Sequence, residues 1–488
     1  MKILFIYPSK VGRGNIPINI PILQASLKQA GHTVKIYDTN SYRWTQWGLL
    51  QTKMGMFKET NEDDYNQKLY QTDYLKDLEN ECIQFQPEIV AVSCLTTDFQ
   101  FSLTLVRTVK QKNPAVISIY GGIHPTIAPD KVINAPEVDY VCVGEGEEAL
   151  VELLEKISNH ESTENIKNIW SKNGEIIQKN ILRPLISMDK VPFQDLSGFE
   201  EFHFYRPFDG KIYRMANIEI SRGCPFKCSY CINDTLQKLY KGLGKYQRRK
   251  SVDRVIDELC YLKDEYKFDF IRFWDEDFTS LSKNFLKELS EAYRVKVNLP
   301  FMVYARCETI TEEKVILLKE MGCKTFAVGI ESGSEKIRRE IMNRKMSNAD
   351  LIQKFELIHK HGVRVSAYNM IGLPNETRQD IFKTIELNRQ CKPTTSSVTL
   401  LEPYPNTRMM EILVNDNLIS PDYIAEYNVD EPHYDNTFIA KEDLKGLLKT
   451  FVLYIKLPKY LYPFIRICEK DGKFSNFVFK VLRNTFLR

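Results

Sequence analysis

The chain has 488 residues, 67 Lys and Arg against 64 Asp and Glu, a net charge of +3 and 43% hydrophobic content. That length carries roughly two to four domains with ample core; the composition excludes a disordered or fibrous protein, and the charge balance excludes whole-chain nucleic-acid binding by electrostatics. Eleven cysteines are spread widely, with one tight cluster, which is not a secreted disulfide framework and points to a reducing cytosol. No uncharged apolar run approaches membrane-spanning length, and the opening Met-Lys-Ile-Leu-Phe-Ile-Tyr-Pro lacks a signal-peptide pattern.

Residues 1–190 alternate between strand and helix patterns. Lys2–Tyr7 is an apolar strand ending at Pro8. Pro17–Ala30 has helical spacing in Ile22, Ala25, Leu27 and Ala30 and stops at Gly31. Thr33–Tyr37 is a second strand, and residues 40–82, polar and aromatic, read as an insertion or a helical excursion. Strands follow at Glu88–Ser93, Val116–Tyr120 and, last, Val138–Val143, with helices at Phe101–Gln111 and Ala149–Ile157. Such alternation predicts an α/β fold with a doubly wound parallel sheet, Rossmann- or flavodoxin-like, whose ligands bind at the carboxyl ends of the strands. Those ends read Ser93-Cys94-Leu95-Thr96-Thr97, Gly121-Gly122-Ile123-His124-Pro125-Thr126 and Gly144-Glu145-Gly146-Glu147. Glycines there let backbone approach a ligand or adopt positive φ; tight turns of a ligand-free domain are the alternative. His124 reads more simply as a helix-start residue hydrogen-bonded to backbone than as a metal ligand.

Residues 191–213 lack periodicity and read as a linker. From residue 214 to about 415, six strands are predicted: Arg214–Ile220, Phe268–Trp274, Phe301–Tyr304, Thr325–Ile330, Val363–Met370 and Ser396–Leu401. Helices follow all but the last, at Val252–Tyr266, Lys283–Arg294, Thr311–Met321, Asn348–His361 and Thr377–Arg389. Ser282 and Thr311 are candidate N-caps, and Gly322 and Gly362 candidate stops. This is the pattern of a partial (β/α)6 barrel, with chemistry expected at the carboxyl ends of its strands.

The first barrel strand delivers Ser221-Arg222-Gly223-Cys224-Pro225-Phe226-Lys227-Cys228-Ser229-Tyr230-Cys231. Thiolates at C-x3-C-x2-C spacing can converge on one inorganic cluster from a single loop, and three sulfurs on four irons leave one iron open. A zinc site would want a fourth ligand in a second short pair, whereas the next cysteine, Cys260, lies in a helical run. The spacing, with aromatic Tyr230 before the last cysteine, resembles the signature of the radical S-adenosylmethionine (SAM) enzymes, and the resemblance spans about residues 214–405. It implies a 4Fe–4S cluster on Cys224, Cys228 and Cys231. It also implies SAM bound to the open iron through its amino and carboxylate groups, and reductive cleavage to a 5′-deoxyadenosyl radical with electrons from a flavodoxin- or ferredoxin-type donor. Residues 329–334, Gly-Ile-Glu-Ser-Gly-Ser, with Glu331 and Ser332, resemble the segment that contacts the ribose and methionine part of SAM. Arg306 matches an arginine found after the third strand, where it could pair the methionine carboxylate. Ile371-Gly372-Leu373-Pro374 resembles the turn near the adenine. The family's Gly-Gly-Glu turn after the second strand is absent; Asp275-Glu276-Asp277 stands there, with Asp275 the candidate partner of the methionine ammonium. Plainer readings are helix capping for Glu331 and Asp275, a surface or structural ion pair for Arg306, and core packing for Cys307, Cys323 and Cys391.

The Pro-Glu-Ile-Val-Ala-Val-Ser strand, the Gly-Gly-x-His-Pro turn and the Gly-Glu-Gly-Glu turn together resemble the cobalamin-binding domain that precedes many radical SAM cores, over most of residues 1–160. The resemblance implies cobalamin contacts at Ser93, Gly121, Gly122, His124, Gly144, Glu145 and Gly146. The Asp-x-His-x-x-Gly motif of proteins that ligate cobalt through histidine is missing, so no protein histidine, His124 included, is expected on the cobalt.

Residues 416–488 form a basic, aromatic C-terminal region. From Leu444 to Arg488, ten Lys or Arg stand against two acids, +8, leaving the remainder near −5 (3 minus 8), and nine Phe or Tyr are interleaved. Helices packed on the barrel with basic outer faces are one expectation; contact with a membrane surface or with an anionic or lipid-like substrate is the other. Nucleic acid is not expected, because no binding motif accompanies the charge. The combined resemblance implies a cytoplasmic cobalamin-dependent radical SAM enzyme, with peripheral membrane contact left open by the tail. Its implied reaction is methylation of an unactivated carbon, occasionally phosphorus, in which the 5′-deoxyadenosyl radical removes a hydrogen and methylcobalamin gives a methyl group. Cyclisation or rearrangement without net methylation is the alternative. A methylthiotransferase would need a three-cysteine set in the first domain, and a non-catalytic iron–sulfur module would leave the strand-end motifs unexplained. The substrate, a small or lipid-like molecule, has no legible motif.

Overall fold

The computed structural model describes residues 1–11, 14–44, 54, 56, 69–427 and 430–486. Its first sheet comprises β1 (Lys2–Tyr7), β2 (Thr33–Asp38), β3 (Ile89–Ser93), β4 (Ile117–Gly121), β5 (Tyr140–Cys142), β6 (Ile169–Asn173) and β7 (Ile176–Lys179), in the order β2-β1-β3-β4-β5-β6-β7. The first five strands are parallel. Apolar residues run continuously along β1 because both faces are covered: Ile3 and Phe5 enter one core cluster, Leu4 and Ile6 the other. The 2-1-3-4-5 order is the flavodoxin-like one, and its direction reverses between β1 and β3, the place where sheets of this topology bind ligands.

The sheet is longer than the sequence pattern predicts. Val138–Val143 was expected to be its last strand, but β6 and β7 extend it as an antiparallel hairpin. The turn is Gly174-Glu175, with Gly174 at φ +61, the position a two-residue hairpin turn reserves for glycine. Of the expected excursion at residues 40–82, Tyr74–Phe85 begins within it as a helix capped by Asp73; residues 45–53, 55 and 57–68 lie outside the described residues. Met54 and Met56 are buried, in one apolar cluster with Leu447 and Phe451 of the C-terminal region.

The second sheet is built from β8 (Tyr205–Phe208) and β9 (Lys211–Ile218), then, after the short pair β10 (Ser221–Arg222) and β11 (Arg248–Arg249), from β12 (Phe270–Phe273), β13 (Phe301–Ala305), β14 (Cys323–Glu331), β15 (Arg364–Ile371) and β16 (Thr395–Leu400). The order is β16-β15-β14-β13-β12-β9-β8. Six strands are parallel, as expected for the half-barrel, and β8 is antiparallel. The stretch read as linker thus holds β8 and the start of β9, joined by Asp209-Gly210 at φ +51 and +74, a turn whose two positive φ values suit Asp-Gly. Helices Val252–Tyr266, Lys283–Lys296, Glu312–Met321, Asn348–Lys360 and Arg378–Cys391 cover the outer face. Ser282 and Thr311 cap theirs as expected, and capping boxes at Ser347/Asp350 and Thr377/Asp380 start the last two. Cys307, Cys323 and Cys391 are buried in the core.

Helix Lys441–Lys456 lies against edge strand β16 and helix Arg378–Cys391. It buries ten residues, among them Leu444, Leu447 and Phe451, and so covers an edge that would otherwise invite pairing with another chain. Helices Tyr462–Cys468 and Lys473–Phe486 pack outside it. No helix among the described residues is long and apolar enough to cross a membrane. All eleven cysteines are free thiols.

Candidate active site

The cysteine loop leaves β10 through Gly223, whose φ is +90 and where a Cβ would sit 2.5 Å from the Tyr246 carbonyl oxygen, so only glycine fits. Cys224 and Cys228 are buried and Cys231 half-buried. Asn233 holds the loop at both ends: its Oδ1 accepts from Cys224 N (3.3 Å) and its Nδ2 donates to Cys231 Sγ (3.5 Å). Gln237 Nε2 donates to the Cys224 and Phe226 carbonyls at 2.8 and 3.0 Å. Burial pushes the Cys224 thiol up to about 12 and also raises Cys231, so thiolates there need a strongly positive centre to compensate them. No set of three or more His, Cys, Asp or Glu among the described residues converges on a single metal ion. A cuboidal cluster, in which each sulfur meets its own iron, does not ask for that convergence, and the donor set of three thiols on one loop fits it.

Arg306 reaches this loop from the end of β13. Its Nη1 lies 2.9 Å from Cys228 Sγ, its Nη2 lies 2.5 Å from Glu308 Oε1, and its guanidinium carbon stands 3.9 Å from the Phe226 ring centroid. The side chain is only 13% exposed, which removes the reading of Arg306 as a surface ion pair. The Asp275-Glu276-Asp277 run braces the same region from the end of β12. Asp275 is buried and accepts from Ser221 Oγ and from Ile220 N (3.3 Å), Glu276 accepts from Gly223 N (3.2 Å), and Asp277 accepts from Arg306 N (3.2 Å) and Thr309 Oγ1. Burial, above all, pushes Asp275 up to about 7. Asp275 therefore points beneath the cysteine loop, and neither it nor Glu331 is a helix cap: Ser282 caps the helix after β12, and Ser334 holds the N-cap position of the helix after β14.

The end of β14 carries Glu331 at φ +65, after a register shift between Gly329 and Glu331. A non-glycine residue in the left-handed region stores strain that its surroundings must hold. They do so here: Glu331 Oε1 accepts from Arg344 Nη1 at 3.1 Å and from Tyr230 Oη at 3.3 Å, and Arg344 Nη2 also lies 3.6 Å from Glu308. Burial raises Glu331, with Arg344 and Arg306 opposing. Ser332 is fully buried, its carbonyl taken by Arg338 Nη1 and its hydroxyl by Ser334 N. Arg344 and Glu308 were not singled out in the sequence; they join the cysteine loop to β14 only through barrel closure. Behind β15, Glu376 accepts from Gly372 N and Leu373 N at 2.7 and 3.2 Å and shapes that turn.

The first sheet brings its strand ends to the same side. Ser93 Oγ lies 2.6 Å from Asn19 Nδ2. Gly121 ends β4, and Gly122, at φ +97, leaves room for a Cβ only 3.0 Å from Cys94 backbone atoms. The His124 ring is buried against Phe99, with Nδ1 3.2 Å from Thr96 Oγ1 and Nε2 unpartnered among the described residues. Burial, then Lys131, pushes it down to about 4, so it is neutral at physiological pH. The ring thus bonds a side chain, where a backbone bond was expected. Gly144 packs against Tyr240, where a Cβ would meet the hydroxyl at 2.5 Å, and Gly146 packs against Leu23. The buried His124 Nε2 and Asn40 amide, unpartnered among the described residues, leave polar groups available to a ligand that carries its own hydrogen-bonding groups, whereas the space beside Gly144 and Gly146 is taken by Tyr240 and Leu23. Glu145 does something else. Its carboxylate accepts from Arg222 (2.9 Å), from Arg248 and from Ile186 N (3.0 Å), while Glu147 lies 2.7 Å from Arg222. The loop after β5 is therefore ion-paired to the residue two before Cys224. Asp98, beyond β3, and Glu402, beyond β16, are both acids whose burial lifts them, to about 8 and about 7, with Glu402 the second contributor at Asp98. Neither was singled out in the sequence.

Two family profiles match: the radical SAM superfamily over residues 218–387 and the B12-binding domain over residues 9–154. The chain is 29% identical over 386 residues to an uncharacterized methyltransferase of Pyrococcus horikoshii, covering 78% of this chain and 81% of that one. It is 24% identical over 423 residues to the anaerobic magnesium-protoporphyrin IX monomethyl ester cyclase of Cereibacter sphaeroides, covering 84% and 67%. Its fold is similar to that of the radical SAM methyltransferase TsrM of Kitasatospora setae, solved with cobalamin and a 4Fe–4S cluster bound, with a TM-score of 0.68 at 16% identity and 99% of both chains covered. The two domains imply a 4Fe–4S cluster, SAM and cobalamin as cofactors. With three thiols at the mouth of a half-barrel and a B12-binding sheet locked to the same loop, the chain is a cobalamin-binding radical SAM enzyme, homologous to the methyltransferases of that family.

Proposed function

We propose that the protein methylates an unactivated carbon of a small or lipid-like substrate held between the two sheets. The observation that carries this reading is the Glu145–Glu147–Arg222 junction, which ties the loop at a B12-domain strand end to the cysteine loop. When bound, the cluster with SAM supplies hydrogen-abstracting chemistry and cobalamin a methyl donor. The chain's own part is holding and orienting. Cys224, Cys228 and Cys231 are the proposed iron ligands. Arg306 offsets the sulfur charge at Cys228, and Asp275, Glu276 and Asp277 position the loop rather than touch substrate. Tyr230, Glu331 and Ser332 are the proposed SAM side, locked by Arg344. Ser93, Gly121, Gly122, His124, Gly144 and Gly146 are the proposed cobalamin side, with Glu145 acting through Arg222. Asp98 and Glu402 are proposed to face the substrate.

We divide the chain into a cobalamin domain at 1–190, a connection at 191–213, the barrel at 214–415 and the basic region at 416–488. We assign electron supply to a flavodoxin- or ferredoxin-type partner and peripheral membrane contact, from the cytoplasmic side, to the basic region. The similarity to a cyclase favours a second reading, ring formation without net methylation. Anaerobic reconstitution, with iron, sulfide and cobalamin assayed together and product mass read, tests both. One added CH2 supports methylation, an unchanged carbon count supports ring formation, and active protein free of iron overturns the cluster.

A further inference from the structure

The last helices are apolar on two sides. Helix Lys473–Phe486 turns Ser475, Phe479 and Leu482 inward, each below 10% exposed, while Phe474, Phe477 and Val481 stand 68, 65 and 47% exposed. The exposed three are at i, i+3 and i+7 and form one stripe. The preceding segment repeats the arrangement: Ile465 and Cys468 are fully buried, and Tyr460, Phe464 and Ile467 are 74, 53 and 38% exposed. Six of the fifteen large apolar side chains exposed among the described residues fall within residues 460–481; even scatter would place about one there, so this is a patch rather than background. Arg466, Lys470, Lys473 and Lys480 are exposed in the same segments and in no ion pair among the described residues. Asp471 is the one exposed acid there, since Glu469 is 7% exposed and bound to Arg378.

We infer that this face docks on an anionic lipid surface, with the aromatic stripe at the headgroup boundary and the four cations on lipid phosphates. A second copy of the chain would set like charges against each other, and a neutral apolar partner would leave the cations unused. The inference deepens the membrane-contact reading above and is independent of the reaction.

The test uses the full, anaerobically purified chain in co-sedimentation with phosphatidylcholine vesicles and with phosphatidylcholine–phosphatidylglycerol vesicles. Binding to the anionic vesicles, weakened by added salt, is expected. The triple variant Phe474→Ser, Phe477→Ser, Val481→Ser is expected to lower partitioning about tenfold or more, and Lys470→Glu with Lys473→Glu to lower it comparably, at unchanged helical content. If wild type binds and the serine variant binds equally, membrane contact stands and this face is overturned. If wild type binds neither vesicle, both fall. If wild type is a dimer that the serine variant dissociates, without vesicle binding, the face belongs to a second copy and the inference is overturned.

Discussion

Arg222 stands 2.7 Å from Glu147, and through this pair the first sheet grips the loop that bears the cysteines. Glu145 at 2.9 Å and Glu219 at 2.7 Å complete the cage around the guanidinium. Removing the cation leaves buried carboxylates uncompensated, which costs about 3–5 kcal/mol. Arg222→Met is expected to lower the urea midpoint and the iron retained per chain after reconstitution, and Arg222→Lys, with charge but no fork, to fall between. A Met variant with wild-type midpoint and iron content would remove this pair from what holds the loop.

Cys228→Ala is expected to abolish 5′-deoxyadenosine formation and to lose most of the iron. Cys307→Ala, at a fully buried core thiol, is expected to keep both and to cost about 1–2 kcal/mol through the small cavity. Iron analysis and a nucleoside assay on the two variants separate a ligand from a packing residue; equal iron in both would contradict the assignment.

At Gly329 a Cβ would fall on Glu331 Oε1 and stand 3.2 Å from Arg344 Nη1. Gly329→Ala is therefore expected to displace the Glu331 carboxylate and weaken SAM binding roughly tenfold or more, as loss of a charge-assisted contact would. Glu331→Gln should approach the same loss. Titration calorimetry on cluster-loaded protein reads both, and wild-type affinity in Gly329→Ala would clear Glu331 of any role.

Burial, and then Glu402, lift Asp98 from 3.8 to about 8. The folded state thus keeps a proton that the unfolded chain gives up, and this group's cost to stability grows as pH rises from about 4 to about 8. Asp98→Asn removes it: the variant should melt about 2–5 °C above wild type near pH 9 and level with it near pH 4. A difference that does not change with pH would place Asp98 in an ordinary ionised setting.

The sequence was readable where local rules decide. β3 and β4 are largely apolar runs that stop at residues able to turn, β15 alternates buried and half-buried positions, and Ser282 and Thr311 cap the helices their positions announce. Two hairpins escaped: Gly174 sits in a polar stretch between short, half-exposed strands, and Asp209-Gly210 follows a four-residue strand that contains Pro207. In the site, the cysteines are contiguous and so were visible. Arg344 meets Glu331 from thirteen residues away, and Glu145 meets Arg222 across 77 residues, contacts that only tertiary closure creates. Asp275 is a candidate for the methionine ammonium by its strand-end position; the direction it faces is set by Ser221 and Ile220.

Met54 and Met56 share their apolar cluster with Phe451, which the ribosome adds 395 residues after Met56. At about 5–20 residues per second, roughly 20–80 s pass before that partner emerges. β16 ends 51 residues before Phe451, so for about the last 3–10 s of that interval the nascent chain displays an unfilled seam along β16, a target for chaperones and for premature association. Deleting the basic region would make this transient condition permanent, so truncation measures misassembly as much as docking, and point substitutions on the outer stripe are the cleaner instrument.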